Sequence, residues 1–310
     1  MANDVSTADR ASRSATGLTL AVLSAFAFGL SGALASSLFA VGWSPGATAL
    51  IRSVIGALVA LPVGLIALRG RWRLIRANLG LLIAYGILGG GGAQYCYFMA
   101  VQRMQVGPAL LIEYTAPAAV VLWMWLRHGQ RPTRITVIGA ALAATGLVLV
   151  LNLLGGADLS LAGVGWALAA MACATTYFVM NADASTGLPA VTLAAGGLLI
   201  GSIAVGLLGL VGLLPMTVTT QSPVLAGHHV AWWLPILLLG VVTSGVAYLT
   251  GVAAGRLLGA RLGAFVALFE VVVGVLFAWL LLGELPGPVQ LLGGVLILAG
   301  VVAVKLGERR

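Results

Sequence analysis

Gly107-Pro-Ala-Leu-Leu-Ile-Glu-Tyr-Thr-Ala-Pro-Ala-Ala-Val-Val-Leu-Trp-Met-Trp-Leu126 is long enough for about one crossing of a bilayer core, and Glu113 is its one permanently charged residue. A carboxylate at that depth costs about 2.5–3.5 kcal/mol on the insertion scale, so a span that keeps one uses it or pairs it. Pro117, four residues on, has no N–H. The Glu113 carbonyl therefore loses its helical partner, and one residue offers both a charged side chain and a freed acceptor. Irregular backbone at membrane depth is tolerated where it faces protein or a water-filled cavity. Glu113 is on these grounds the leading candidate for a substrate or ion path, with Tyr114 beside it and Pro117 as the helix kink.

The rest of the chain reads the same way. Of its 310 residues 61% are hydrophobic and 8% charged, with mean hydropathy +1.10, far more apolar than a soluble domain. Taking about 20 apolar residues per crossing, ten spans are predicted at 17–40, 46–68, 78–101, 107–126, 134–154, 160–180, 190–214, 232–253, 259–282 and 287–306. Residues 1–16 read as a disordered polar tail. The longest break, Pro215 to Val230, is too short for a soluble domain. The fold class is thus an all-α polytopic membrane protein.

Placing the N-terminus in the cytoplasm puts fourteen of the sixteen Lys and Arg residues on the inner side, with Arg103 outside and Arg52 within a span. The positive-inside rule then sets both termini in the cytoplasm. The same pattern accounts for the net charge of +8 without a nucleic-acid partner.

The second half repeats the first. Gly107 aligns with Gly259, Pro132 with Pro286, Gly139 with Gly293 and Gly146 with Gly300, at an offset of 152 to 154. Five spans per half is odd, so the copies, 17–154 and 160–306, are expected in opposite orientations. The turn after span four carries Arg127, Arg131 and Arg134, whereas the matching turn after span nine has Glu284 and no arginine. Inverted five-helix repeats imply alternating access around a site near the midplane.

Three permanent charges lie well inside spans: Arg52, Glu113 and Glu270. They line a site, or Arg52 and one glutamate form a structural ion pair. Gln94, Tyr97, Tyr177 and Tyr248 carry polar tips on apolar bodies and suit a cavity wall or a satisfied core. Gly89-Gly-Gly-Gly92 reads as a place of close helix packing. Trp43, Trp123, Trp125, Trp232 and Trp233 read as interfacial anchors. Cys96 and Cys173 sit in apolar spans and imply neither disulfide nor metal; His228-His229 lack companion ligands. No cofactor, metal, nucleotide or nucleophile motif is read from the chain.

The pattern of Glu113-Tyr-Thr-Ala-Pro117, a basic turn and Gly139 resembles the EamA-type carriers of the drug/metabolite transporter superfamily, especially the subset related to threonine/homoserine exporters. Ala264 to Glu270, Leu282-Gly-Glu284 and Gln290 to Gly300 resemble the end of the same domain, and Pro45 with Arg52 resembles its second span. The resemblance implies ten helices, a central cavity with Glu113 and Glu270 near it, and a multi-pass location in a bacterial inner membrane. Val271 stands where that subset usually has proline, and Gln130 where the family often has glutamate.

The expected function is a secondary transporter exporting small metabolites, amino acids or amphipathic amines, with protons as a coupling ion and a monomer or homodimer as its assembly. A passive channel and an intramembrane lipid-modifying enzyme are the alternatives. The duplicated halves favour a carrier over a channel, and no acid cluster or nucleophile at the interface supports an enzyme.

Overall fold

A computed structural model describes residues 2–116, 119, 133–150, 160–182 and 186–307. Among these the chain is helical apart from one hairpin and short turns. Five helices are long and apolar enough to cross a membrane: Ala15–Ala40, Pro45–Leu68, Leu79–Val101, Ala190–Leu210 and Trp233–Gly251. Shorter apolar helices cover Arg134–Val150, Leu161–Thr176, Phe269–Leu282 and Pro288–Val304.

In chain order the elements are α1 (Ala2–Ala40), α2 (Pro45–Leu68), α3 (Trp72–Ala77), α4 (Leu79–Tyr85), a π-helical segment (Gly86–Gly92), α5 (Ala93–Val101), α6 (Val106–Glu113), α7 (Arg134–Val150), α8 (Leu161–Ala182) and α9 (Ala190–Leu210). Then come β1 (Val224–Leu225), β2 (His228–His229), α10 (Trp233–Gly240), a second π-helical segment (Val241–Val246), α11 (Ala247–Leu282) and α12 (Pro288–Gly307). The polar stretch 2–16, expected to be disordered, continues α1 upstream. Its four alanines are strong helix formers, and a membrane helix already supplies the nucleus for extension into water.

One element is longer than any single crossing. A straight helix of the 36 residues of α11 would be ~54 Å long and would hold Gly251 and Gly274 ~35 Å apart. Yet both pack on the same stretch of α1. A Cβ on Gly251 would sit 2.7 Å from Ser24 Oγ, and one on Gly29 would sit 3.0 Å from the Gly274 nitrogen. The Tyr248 ring meets Phe28, while Phe269 and Phe277 meet Phe26. The chain must therefore turn back between Gly251 and Phe269, dividing α11 into two antiparallel arms that clasp α1.

Glycines let backbones touch at several crossings. Helices α7 and α12 run antiparallel, and their four glycines pair reciprocally. A Cβ on Gly139 would lie 2.6 Å from the Gly300 carbonyl oxygen, and one on Gly300 would lie 2.5 Å from that of Gly139. Gly146 and Gly293 stand in the same relation at 2.5 and 2.6 Å. Gly89–Gly92 also packs closely: a Cβ on Gly90 would meet the Gly197 carbonyl oxygen, and one on Gly201 would fall 2.6 Å from the Gly91 nitrogen. Those glycines lie in the first π-helical segment, and the second falls at nearly the same place one repeat offset later. Gly240, just before it, and Gly245 within it lie against Ile55 and Val59 of α2.

The turns opposite the arginine-rich ends are knitted together. Ser44 caps α2 through the Ala47 N–H at 3.2 Å and donates to the Pro215 carbonyl at 2.7 Å. The Trp43 indole donates to the Thr219 carbonyl at 2.9 Å and stacks on Trp232. Trp43 is only 2% exposed, which corrects its expected role as an interfacial anchor: the 215–230 connection folds over it. Trp123 and Trp125 lie outside the described residues. Ala226 at the hairpin tip donates to the Leu281 carbonyl at 2.8 Å.

In the turn between α11 and α12, outside the spanning helices, Glu284 Oε2 accepts the Val106 N–H at 3.0 Å. This satisfies an otherwise unbonded N–H at the start of α6 from far along the chain. Burial pushes the Glu284 carboxyl above its ordinary value, and the Val106 N–H opposes that shift. A native value raised above the unfolded one means that this contribution to stability is present at low pH and is lost as pH rises through the native value. Thermal melts in detergent between about pH 4 and about pH 8 are expected to have a shallower downward slope for Glu284→Gln, which keeps an acceptor oxygen but cannot ionise.

Candidate functional site

Arg52, on the second turn of α2, is wholly enclosed at 0% exposure. Its Nε donates to Thr243 Oγ1 at 3.1 Å, its Nη2 to the Thr243 carbonyl at 2.9 Å, and its Nη1 to Gln94 Oε1. The guanidinium carbon lies 5.7 Å from the Phe98 ring centroid, within cation–π reach. Two helical segments, α5 and the second π-helical segment, thus hold the cation of α2 through neutral acceptors. A π-turn suits this task because its wider spacing presents a backbone carbonyl that a regular helix would keep for itself. Thr243 is itself anchored, its hydroxyl donating to the Leu239 carbonyl at 2.8 Å.

Glu113 at the end of α6 and Glu270 on the second arm of α11 are both half-buried. Tyr114 lies close enough to Glu270 to act on its carboxylate, and Arg52, Glu113 and Glu270 lie close enough to act on one another electrostatically. The two acids and Arg52 therefore occupy one region. The hydrogen bonds of the guanidinium go to Gln94 and Thr243, so the alternative of an Arg52–glutamate ion pair is not among the described contacts. When both acids are ionised, this region holds one more negative than positive charge.

The helix α6 ends at Glu113, and Tyr114 and Thr115 form a turn whose Thr115 hydroxyl donates back to the Ile112 carbonyl at 2.7 Å. Pro117 lies outside the described residues.

Tyr97 is 4% exposed, its hydroxyl stands over Gly32 of α1, and among the described residues that oxygen has no hydrogen-bond partner. Tyr248 is buried edge-on against Phe28 on the far arm of α11, and its charge environment includes Arg52. Gln94 is committed to Arg52. The Tyr177 side chain lies outside the described ones. Thr243 and Phe98 escaped the reading of the sequence because a threonine and a phenylalanine in an apolar span carry no charge to mark them. His228 and His229 sit on the exposed hairpin, and no group of three or more His, Cys, Asp or Glu that could hold a metal occurs among the described residues.

Comparison with known proteins agrees with this architecture. The EamA-like transporter family profile matches twice, over residues 15–152 and 161–306. The threonine/homoserine exporter RhtA of Salmonella typhimurium (strain SL1344) is 32% identical over 285 residues, covering 89% of this chain and 85% of the relative. The threonine/homoserine exporter RhtA of Escherichia coli (strain K12) is 30% identical over the same length and coverage. A crystal structure 24% identical in sequence superposes with a TM-score of 0.63, covering 96% of this chain and 98% of the other; it supports the fold alone. Two matches to the family's domain, spanning nearly the whole of a multi-helix membrane chain, make this protein a member of the EamA-like transporter family and hence a membrane transporter, not an enzyme.

Proposed function

We propose that the protein is a secondary carrier that exports small amino acids, or amines of similar size, by alternating access between two inverted five-helix repeats. Ten crossings place both termini in the cytoplasm of a bacterial cell, as the arginine distribution requires. The reciprocal glycine pairs of α7 and α12 support the inversion: residues 139 and 146 meet the counterparts of 146 and 139. A two-fold axis perpendicular to an antiparallel helix pair produces such a contact, and it would lie in the membrane plane. The two π-helical segments at matching positions support the same symmetry.

The observation that carries the functional reading is the grouping of Glu113 and Glu270, both half-buried, around an Arg52 that is fixed by neutral acceptors. The excess negative charge of the ionised pair is met by the ammonium group of a substrate or by a proton. Competition between the two couples export to a proton gradient. Arg52 is enclosed, so its part is to position Gln94 and to limit the negative charge of the cavity. Tyr114 orients Glu270, and the Tyr97 hydroxyl, with Tyr177 and Tyr248, completes the polar lining.

The test is counterflow in proteoliposomes with a panel that includes threonine and homoserine. The unmodified protein is expected to accumulate one labelled member, and Glu113→Gln and Glu270→Gln to lower the rate at least about tenfold, the scale of losing one charged contact to substrate. Equal transport by all three proteins would remove the carboxylates from the site. Flux indifferent to an imposed pH gradient, at fixed substrate protonation, would remove the proton from the cycle.

A further inference from the structure

The chain has two cysteines, one in each half, and the fold brings them together. Cys96 lies on α5 and Cys173 on α8; both are free and half-buried, and the two thiols are near enough to act on each other. The helices that carry them approach closely there. A Cβ on Gly92, one helical turn before Cys96, would lie 3.5 Å from Cys173 Sγ, and a turn further along the contact Tyr95 meets Trp166 edge-on at 5.7 Å between ring centroids. Both sulfurs thus face one seam between the first and second halves of the chain. Glu113 is near enough to act electrostatically on Cys96.

Two neighbouring thiols on separate helices are more than two small apolar residues. Their sulfurs are soft, polarisable donors on neighbouring helices, and one soft centre bound by both would join those helices. Fixing both before binding removes most of the ordering cost that a flexible dithiol would meet. A bridge would also join α5, which carries the Arg52 partner Gln94, to α8.

We propose that Cys96 and Cys173 form a two-thiol binding site for trivalent arsenic and chemically similar soft thiophiles, clamping α5 to α8. With an organoarsenic(III) oxide the two S–H bonds break and two As–S bonds form. The arsenic–oxygen bond is lost, and the oxygen leaves as water with both thiol protons. Arsenic remains trivalent, so no oxidant or reductant is needed. The site stands independently of the transport reading.

The experiment uses the full-length protein in detergent, phenylarsine oxide as the probe, and intact mass as the readout. One adduct per chain is expected, corresponding to the oxide less one water. It should survive an excess of 2-mercaptoethanol and be removed by 2,3-dimercaptopropanol. Cys96→Ser and Cys173→Ser, each checked for an unchanged melting profile, are expected to lose retention against the monothiol by at least about tenfold. No adduct on the unmodified protein, or an adduct that the monothiol strips as readily as from the single-cysteine variants, would overturn the proposal. Because no transport step is read, failure here leaves the carrier reading intact, and loss of counterflow in the glutamate variants says nothing against the dithiol.

Discussion

Arg52→Met is expected to lower the stability of the folded protein by about 3–5 kcal/mol, the range for removing one partner of a buried charged network. The substitution takes away a costly buried cation, which by itself favours the variant. It also leaves the Gln94 amide oxygen and the Thr243 carbonyl without their donor, at about 1–3 kcal/mol each. Glu113 and Glu270 lose the positive charge that offsets them as well. The losses outweigh the gain because methionine fills the volume but satisfies none of these groups. Arg52→Lys should recover less than half of the deficit, since one ammonium cannot reproduce a planar fork that reaches two residues of different helices. Melting followed by size-exclusion chromatography in detergent measures both. The double variant Arg52→Met/Gln94→Leu should melt above Arg52→Met alone. An Arg52→Met melt equal to that of the unmodified protein would mean that the guanidinium is not held as described.

The second large effect is expected at the α7–α12 crossing. Gly146→Leu places a Cβ 2.5 Å from the Gly293 carbonyl oxygen and 2.8 Å from the Ile297 nitrogen. Both are backbone atoms of a helix, so neither can move aside by changing rotamer, and the helices must separate along their whole contact. Overpacking of this kind costs about 1–3 kcal/mol, and more where no side chain can yield. Gly293→Leu should cost about as much, because the contact is reciprocal. Gly165→Ala is the control: that glycine is exposed on α8 with nothing within 4 Å of the added carbon, and its melt should stay within about 0.5 kcal/mol of the unmodified protein. If all three variants melt alike, the α7–α12 contact contributes nothing to the folded state.

The parts of this architecture legible in the sequence are those governed by solvent. Apolar length marked the chain as a membrane bundle with helices long enough to cross, and the cost of an intramembrane charge drew attention to Arg52, Glu113 and Glu270. The glycine register was legible as a repeat, though its use as a reciprocal backbone contact was not. What stayed hidden depends on pairs distant in sequence. Thr243 is an ordinary residue until Arg52 is placed against it, and Trp43 reads as an anchor until the 215–230 connection covers it. The two cysteines carry no spacing signal at all, being 77 positions apart (173 − 96). Their meeting follows from the packing of α5 on α8.

The reciprocal contact of α7 with α12 has a consequence for ancestry and for engineering. A surface that fits its own rotated copy needs no peptide link to that copy. Two separate polypeptides, each ending in a helix like α7 and inserted in opposite senses, would meet through the same four glycines. The connection between residues 150 and 160 therefore sets the stoichiometry of the halves and the order of their synthesis, while the glycine faces are one of several surfaces through which they meet, α11 on α1 and α9 on α2 being others. Co-expressed as two chains cut in that connection, the halves would still present those faces to each other.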